Sequence, residues 1–497
     1  MRKYFAVLLA VLLILSFAVT AFAEDKTEIT IGGKILVRGW YFDNVTGVSG
    51  HNVLPGDTES AAFYSTNVNL SVDAKVSDNI RGMVELETAK DGNANSGLFY
   101  WGDKARGYDS KPNADILIRQ AWIQYTGAGL GIPAGIKIGH MPISLGEKQF
   151  LNNERFGDDA ILVWIDPTKE LHLAAGTVKL NEGDVLSHTD DLNGYVLIGT
   201  FMPNKDITLG FNWVWAHSDG SCPSSLTDSG DVDDDGNPIL ISSPTPNVKS
   251  LNFHNVGLHA NGKVAGLTYA AEADWQFGKI RALADPGDIV TANSVDITPK
   301  GWAVMAKLGY QLDPVNLRAA FAMGSGDDKA LNADGTFNGD CKEFQTLQGP
   351  DYGATARLVH YTQIYERTVR TAALEAALTT TPGGNTNNTG IANTTYYNLG
   401  VDVNPIKELA ISLDGYLLRA TKTGGWEDVV SEAAGEDVSI SNKLGWEIDS
   451  RISYKLAKNL TYFVEAGLFK PGDFYKDAFG ADKKTVKQAV HGLSLSF

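Results

Sequence analysis

The chain has 497 residues and a formal net charge of −17, with 59 acidic against 42 basic side chains. An acidic chain without a basic stripe lacks the clustered lysine and arginine that nucleic-acid binding requires, so we expect no nucleic-acid partner. A soluble chain of this length would be expected to form about three domains. No linker, charge block or shift in composition marks a domain boundary.

The first residues have the layout of a secretory signal peptide. Arg2 and Lys3 precede an apolar run over 4–18, and Ala21 and Ala23 flank Phe22. The apolar run is too short to span a bilayer comfortably, and small residues at alternate positions are typical of a cleavage site. We predict that residues 1–23 are a signal peptide and that 24–497 form one domain. A retained transmembrane anchor is the alternative.

Beyond the signal peptide, the chain is predicted to form about 18 short strands whose connections alternate in length. Short polar turns lie at 76–79, 166–169, 204–205, 261–263, 313–314, 404–407 and 457–459, whereas long connections include 43–64, 90–114, 218–249 and 325–394. Short turns at one rim and long loops at the other are typical of outer-membrane barrels. The terminal stretch 490–497, with alternating Leu and a final Phe497, resembles the closing strand of such a barrel.

The sequence therefore predicts an all-β fold, a transmembrane antiparallel β-barrel with short periplasmic turns and long extracellular loops. The strand count is about 18, or about 16 if the stretches 159–165 and 171–180 belong to a loop. Aromatic residues near strand ends are predicted to form girdles at the membrane interfaces, and they include Trp40, Tyr41, Trp213, Trp215, Tyr396 and Tyr397.

Several strands alternate apolar with charged side chains, which sorts the two sets onto opposite faces. A barrel of this strand number is too wide for side chains to fill, so we expect the apolar face to meet lipid and the charged face to line water. The predicted lumenal set is Lys34, Arg38, Asp73, Lys75, Arg81, Glu85, Glu87, Arg119, Lys137, Glu272, Asp274, Lys307, Arg318, Glu447, Asp449 and Arg451.

One loop that could narrow the lumen runs from about residue 141 to 158. It holds Glu147, Lys148, Glu154 and Arg155 among small and apolar residues. Opposed charges on a loop folded into the lumen would set the width and the electric field of a constriction. An ordinary external loop is the alternative.

The longest loop contains a second candidate, because residues 354–378 have helical spacing. Its apolar residues Leu358, Tyr361, Ile364, Val369 and Leu374 fall roughly on one side. The same stretch is locally basic through Arg357, Arg367 and Arg370. It either folds inward as a selectivity element or packs on neighbouring loops as a surface helix.

Two further motifs lie in the long loops. Asp231, Asp233 and Asp235 alternate ahead of Gly236, as at the start of a calcium loop, but the twelfth position is not Glu. Loose calcium binding and a simple acidic turn are therefore both open, and we expect no other cofactor.

The two cysteines, Cys222 and Cys341, lie in different loops and either form a disulfide in an oxidising compartment or remain thiols. No hydrolase or metalloprotease motif is present, so we expect no enzyme activity.

The runs RQAWIQY at 119–125 and KIGHMP at 137–142 resemble paired central strands of outer-membrane porins, and most nearly those of the alginate-export-type family of 18-stranded barrels. This resemblance implies a Gram-negative outer-membrane barrel with Arg119 and Lys137 in its lumen. His140 stands where that family usually has Arg.

Three functions fit these features. The leading hypothesis is a channel for passive diffusion of small hydrophilic solutes or ions, with selectivity from pore width and wall charge. The alternatives are an export channel for an anionic polysaccharide and a barrel that sheathes a partner such as a multihaem cytochrome. Each places the chain among outer-membrane lipid and lipopolysaccharide, as a monomer or a homotrimer.

Overall fold

The structure is a computed structural model that describes residues 27–44, 60–89, 99–104, 110–112, 114–129, 131–181, 191–218, 226–232, 238–242, 248–283, 294–329, 339–346, 361–369, 390–480 and 483–497. The predicted signal peptide lies outside these ranges, so its cleavage remains a prediction.

Eighteen antiparallel strands form one closed wall. They are β1 (Glu28–Asp43), β2 (Ser60–Lys75), β3 (Ile80–Ala89), β4 (Asp115–Gly129), β5 (Ile132–Ser144), β6 (Asn152–Ile165), β7 (Leu171–Asn181), β8 (Leu192–Asn204), β9 (Ile207–Ser218), β10 (Val248–Val264), β11 (Leu267–Leu283), β12 (Trp302–Leu312), β13 (Val315–Gly324), β14 (Thr394–Ile406), β15 (Leu409–Ala420), β16 (Lys443–Ala457), β17 (Leu460–Pro471) and β18 (Val486–Ser496).

Each strand pairs with its neighbour in the chain, and β1 pairs with β18 from Lys34↔Ser496 to Asp43↔Lys487. This last pairing closes the barrel. The stretches 159–165 and 171–180 pair with each other and with the strands on either side. They are therefore wall strands, which decides for 18 strands over 16.

The two rims differ in the length of their connections, as predicted. Strands at one rim join through 76–79, 130–131, 166–170, 205–206, 265–266, 313–314, 407–408 and 458–459, whereas the longest connection at the other rim spans 325–393. The predicted turn at 261–263 is wrong, because β10 continues to Val264 and the chain reverses at Ala265 and Gly266. Both residues have positive φ, of 49° and 85°, as a two-residue hairpin turn requires.

Gly262 has another role than turning the chain. A Cβ at this position would lie 2.8 Å from the Tyr269 hydroxyl and closer still to the Asp206 carbonyl. Glycine is therefore needed at position 262 because the turn residue Asp206 and the Tyr269 side chain of β11 pack closely against it. This close packing explains why an Asn-Gly pair occurs here without a chain reversal.

The apolar and the charged strand faces point in opposite directions. Side chains on the outer face are widely exposed, with Ile31 at 65% and Leu399 at 73%, whereas Asp274 and Glu447 on the inner face are 0% exposed. A soluble barrel would have the reverse arrangement. The outer face is therefore suited to lipid and the inner face to polar contacts.

In two of the predicted girdle pairs, Trp40 with Tyr41 and Tyr396 with Tyr397, only one residue of each pair faces outward. Tyr41 and Tyr397 lie on the outer face, but Trp40 and Tyr396 are 3% and 1% exposed and point into the barrel. Adjacent strand residues face opposite sides, so both members of such a pair cannot meet lipid. An outer aromatic cluster does form around Trp215, whose ring lies 4.9 Å from that of Tyr195.

The long connections carry short elements of their own. Within the described residues, these are the helices α1 (Gly424–Ala434) and α2 (Asp473–Phe479), a π-helical turn (Tyr365–Val369), and the short strands Phe99–Tyr100, Leu226–Val232, Pro238–Ser242, Ser294–Pro299 and Asp340–Cys341. In the part of the chain that the structure describes, no helix has the length and apolar character needed to cross a membrane.

A charge placed on the outer face near the middle of a strand tests its contact with lipid. Leu399→Arg should lower the free energy of unfolding in lipid vesicles by about 2–4 kcal/mol, because the guanidinium would sit in hydrocarbon. Glu408→Arg, in the adjacent turn, should change it by less than about 1 kcal/mol. Equal stabilities in denaturant titrations of the two variants would show that Leu399 does not face lipid.

Candidate functional site: a partly filled lumen

The first inward segment is the connection between β5 and β6, which spans only 145–151 because both strands are longer than predicted. The Glu147 backbone N–H donates to Glu272 Oε2 at 2.7 Å, and Asn261 Nδ2 donates to Glu147 Oε1 at 2.8 Å. Since Asn261 and Glu272 belong to β10 and β11, the segment crosses the interior to a distant part of the wall. Gly146 makes this possible, because a Cβ there would overlap the Glu272 carboxylate.

The other charged residues predicted for this loop have different positions. Lys148 Nζ lies 2.7 Å from Glu154 Oε2, so these two side chains pair with each other. Glu154 and Arg155 belong to β6 rather than to a loop. The side chain of Arg155 lies outside the described parts of the chain.

The second inward segment is 361–369 of the longest connection. Tyr361, Ile364 and Val369 are all buried, in agreement with their predicted shared side. Of the predicted helical stretch 354–378, the structure describes 361–369, in which Tyr365–Val369 form a π-helical turn. Of the arginines predicted nearby, Arg357 and Arg370 lie outside the described residues, as does the side chain of Arg367.

Wall carboxylates bind the second segment through its backbone. Glu447 accepts the N–H groups of Ile364 at 2.6 Å and Tyr365 at 2.8 Å, one on each carboxylate oxygen. The neighbouring Asp449 accepts the N–H of Gln363 at 2.9 Å. These charge-assisted hydrogen bonds fix the segment against β16.

The two segments meet inside the barrel. The Tyr361 hydroxyl donates to Gln149 Oε1 at 2.5 Å. Its ring stacks on Tyr396 with centroids 4.4 Å apart, and Lys307 Nζ lies 5.6 Å from the ring centre. Burial raises the pKa of the Tyr361 phenol well above its usual value, so this group is a neutral donor.

A third stretch, 339–346, completes this filled half of the lumen. The Gln345 N–H donates to Gln276 Oε1 at 2.8 Å. The Phe344 ring meets Phe150 at 6.4 Å, and Phe150 stacks on Phe253 of β10 at 6.0 Å. These aromatic contacts give the inward segments an apolar core of their own. The alternation of strand residues had predicted only an inner face that lines water.

An open cavity of about 670 Å³ remains on the other side, along β1–β4 and β16–β18. Its charged lining consists of the basic Lys34, Arg38, Arg119 and Arg451 and the acidic Glu85 and Glu465.

Arg119 binds Glu85 at 2.8 Å and Arg451 binds Glu465 at 2.6 Å. The open part of the lumen is therefore locally basic inside an acidic protein.

The remaining predicted lumenal residues serve mainly as contacts within the wall. Arg81 pairs with Asp73, and Lys75 lies 2.5 Å from Asp78. Lys137 lies 3.9 Å from the ring centre of Trp122. Glu87 accepts from Asn67 at 2.8 Å, Asp274 accepts from Asn255 at 2.8 Å, and Arg318 binds both Asp402 and Asp414 at 2.8 Å.

The predicted calcium and disulfide sites fall largely outside the described residues. Asp231 lies in the short strand Leu226–Val232, while Asp233, Asp235 and Cys222 are not among the described residues. The Cys341 thiol is buried and donates to the Glu343 carbonyl at 3.6 Å. Both sites remain predictions, and the described ranges hold no cluster of three or more metal-binding side chains.

Sequence reasoning missed several residues of this site. Glu465 has the same inward parity as Phe463 on β17, so strand alternation could have identified it. Gln149, Phe150 and Phe344 carry no such signal, because loop residues follow no period that tells inside from outside.

The apolar exterior, the closed wall and the charged, partly open interior define a transmembrane β-barrel of the outer-membrane type. The family model described as alginate export matches residues 242–488. The chain is thus an outer-membrane β-barrel that resembles the alginate-export family over this region, which lies outside the runs 119–125 and 137–142 that carry the resemblance in the sequence.

Solved structures from Pseudomonas aeruginosa are also similar to the chain. OpdK, crystallised with vanillate, is 11% identical with a TM-score of 0.49, covering 96% of this chain and 100% of that one. OccK8 (OprE) is 12% identical with a TM-score of 0.48 over 96% and 99%, and OccK11 (OpdR) is 10% identical with a TM-score of 0.48 over 94% and 96%. A search of curated protein sequences gives no significant match.

Removing Arg318 tests the distinction between charges that support the wall and charges that line the open cavity. Arg318→Met should lower the free energy of unfolding by about 1–3 kcal/mol, because Asp402 and Asp414 lose their shared cation in a partly screened site. Lys34→Met, in the open cavity, should change it by less than about 0.5 kcal/mol. Denaturant titration in lipid vesicles measures both, and equal losses would refute the distinction.

Proposed function

We propose that the chain is an outer-membrane channel through which small hydrophilic solutes or ions diffuse passively. The observation that carries this proposal is the open cavity of about 670 Å³ with charged walls, beside inward segments that narrow the rest of the lumen. A charged wall keeps the passage hydrated, and a narrow cross-section limits the size of what passes. The proposed function requires neither a catalytic residue nor a cofactor.

The surroundings of the barrel follow from its surface. The apolar outer face supports placement in the outer membrane of a Gram-negative bacterium, among lipid and lipopolysaccharide. Monomer and homotrimer remain the two predictions for its oligomeric state. Calcium bound by the acidic loop around Asp231 would be an addition to this function and not a part of it.

Export of an anionic polysaccharide is the second candidate. The match to the alginate-export family and the basic open cavity support it. The inward segments argue against it, because they occupy the lumen on the side of β10, β11 and β16. The same segments occupy the space that a sheathed cytochrome would need, so we set that third function aside.

The local charge of the open cavity predicts its ion selectivity. In a planar bilayer with a KCl gradient, the reversal potential should indicate anion preference, although the whole chain is acidic, because permeant ions respond to the nearest charges of a narrow passage. Lys34→Glu should shift this potential toward cation preference. Lys458→Glu makes the same charge change in a turn at the rim and should leave the potential nearly unchanged.

Two outcomes of that measurement would contradict the proposal. Correctly folded barrels that never conduct would refute the diffusion channel itself. Cation preference in the unmodified protein, unaffected by Lys34→Glu, would show that ions do not pass along the basic cavity.

The size of the permeant solute separates diffusion from export. Liposomes that contain the protein should swell in simple sugars and should not admit a long polyuronate chain, since the inward segments limit the bore. Liposomes without protein are the control. Passage of the polymer at a rate near that of the sugars would favour the exporter.

A further inference from the structure

Two carboxylates of the inner wall bind backbone N–H groups of separate inward segments. Glu272 on β11 takes the Glu147 N–H on one carboxylate oxygen, Oε2, at 2.7 Å. Glu447 on β16 takes the N–H groups of Ile364 and Tyr365 at 2.6 and 2.8 Å. Glu272 is 3% exposed and Glu447 is 0% exposed, so neither carboxylate is open to a passing solute.

These contacts have a physical reason. An inward segment that leaves the sheet brings N–H groups without strand partners into a buried place, and each unsatisfied group costs free energy. A carboxylate can accept two such hydrogen bonds at once and binds them more strongly than a neutral acceptor. The wall thus supplies the hydrogen bonds that the segments cannot make for themselves.

From this geometry we infer that Glu272 and Glu447 are positioning residues, which hold the segments 145–151 and 361–369 across the lumen and thereby set the width of the pathway. The inference rests on the proposed channel function and names the residues that determine its size selectivity.

The two attachments also depend on each other. Tyr361 of the second segment donates to Gln149 of the first at 2.5 Å. Gln149 and Tyr361 are both buried, at 0% and 8% exposure, so their hydrogen bond has no competition from water. Release of one segment removes a contact that orders the other segment. Substitution of either Glu272 or Glu447 should therefore affect both 145–151 and 361–369.

The variants Glu272→Gln and Glu447→Gln test this role with almost no change in side-chain shape. In Glu447→Gln the amide NH2 group would face one of the two backbone N–H groups, so only the other can still be bound. In Glu272→Gln a neutral amide replaces the charged acceptor of the Glu147 N–H, which weakens that hydrogen bond. Glu87→Gln is the matched control. Glu87 is also a buried wall carboxylate, it is not part of the lining of the open cavity, and it accepts a hydrogen bond from the Asn67 side chain at 2.8 Å.

Hydrogen exchange measured by mass spectrometry reports on the attachment itself, whether or not the barrel conducts. In Glu447→Gln, the peptide that covers 361–369 should exchange about tenfold faster than in the unmodified protein, because two buried hydrogen bonds are weakened. Glu272→Gln should have the same effect on 145–151, with a smaller increase in 361–369. Glu87→Gln should leave both peptides protected.

Measurements of permeation test whether release of a segment widens the pore. Both variants should admit larger neutral sugars in liposome swelling and should conduct at least about twice as much current per channel, since a released segment leaves a wider bore. Neutral sugars are the decisive probe, because all three variants lose one negative charge and only two are expected to widen the pore. A larger size limit in Glu87→Gln would attribute the change to charge and overturn the inference.

The failure of this inference is distinguishable from failure of the proposed function. If the unmodified protein conducts while both Gln variants keep its size limit and its exchange rates, the positioning role is wrong and the channel stands. If the unmodified barrel is silent, the channel is wrong, and exchange still decides the attachment. Should a Gln variant fail to fold, as judged by heat-dependent gel mobility, Tyr361→Phe removes the bond between the segments without altering the wall and should accelerate exchange in both peptides.

Discussion

Closure of the sheet is the constraint on which the rest of this structure depends. Every backbone N–H and C=O group in hydrocarbon needs a partner within the protein, and pairing of β1 with β18 leaves the wall without an open edge. Closure with eighteen strands also makes the barrel too wide for wall side chains to fill. The interior must therefore hold either water or additional segments, and the segments 145–151 and 361–369 fill part of it.

The inward segments change the meaning of the charged inner face. Glu272 and Glu447 bind backbone groups of these segments, and Arg318 joins two wall carboxylates. Such residues bind other parts of the chain. The residues that face the open cavity, including Lys34 and Arg119, are few and mostly basic. Net charge of the whole chain is consequently a poor guide to the field in the pathway.

Strand periodicity allowed the inward residues to be predicted, because successive side chains of a strand face opposite sides. It could not tell which inward residues meet water and which meet another part of the chain. Trp40 and Tyr396 show this limit, since both lie near strand ends yet are buried inside. The Asn261-Gly262 pair shows another, because close packing and not chain reversal requires that glycine.

The sequence alone determined the barrel, its strand number to within one hairpin, its rims and the two faces of its wall. These features depend on local alternation and on the lengths of connections, which are properties of neighbouring residues. Only the tertiary structure decided that 145–151 and 361–369 meet through Gln149 and Tyr361, and that an open, basic cavity remains beside them. Those contacts join residues more than 200 positions apart, and no periodicity in the sequence records which loop side chains will meet across a lumen.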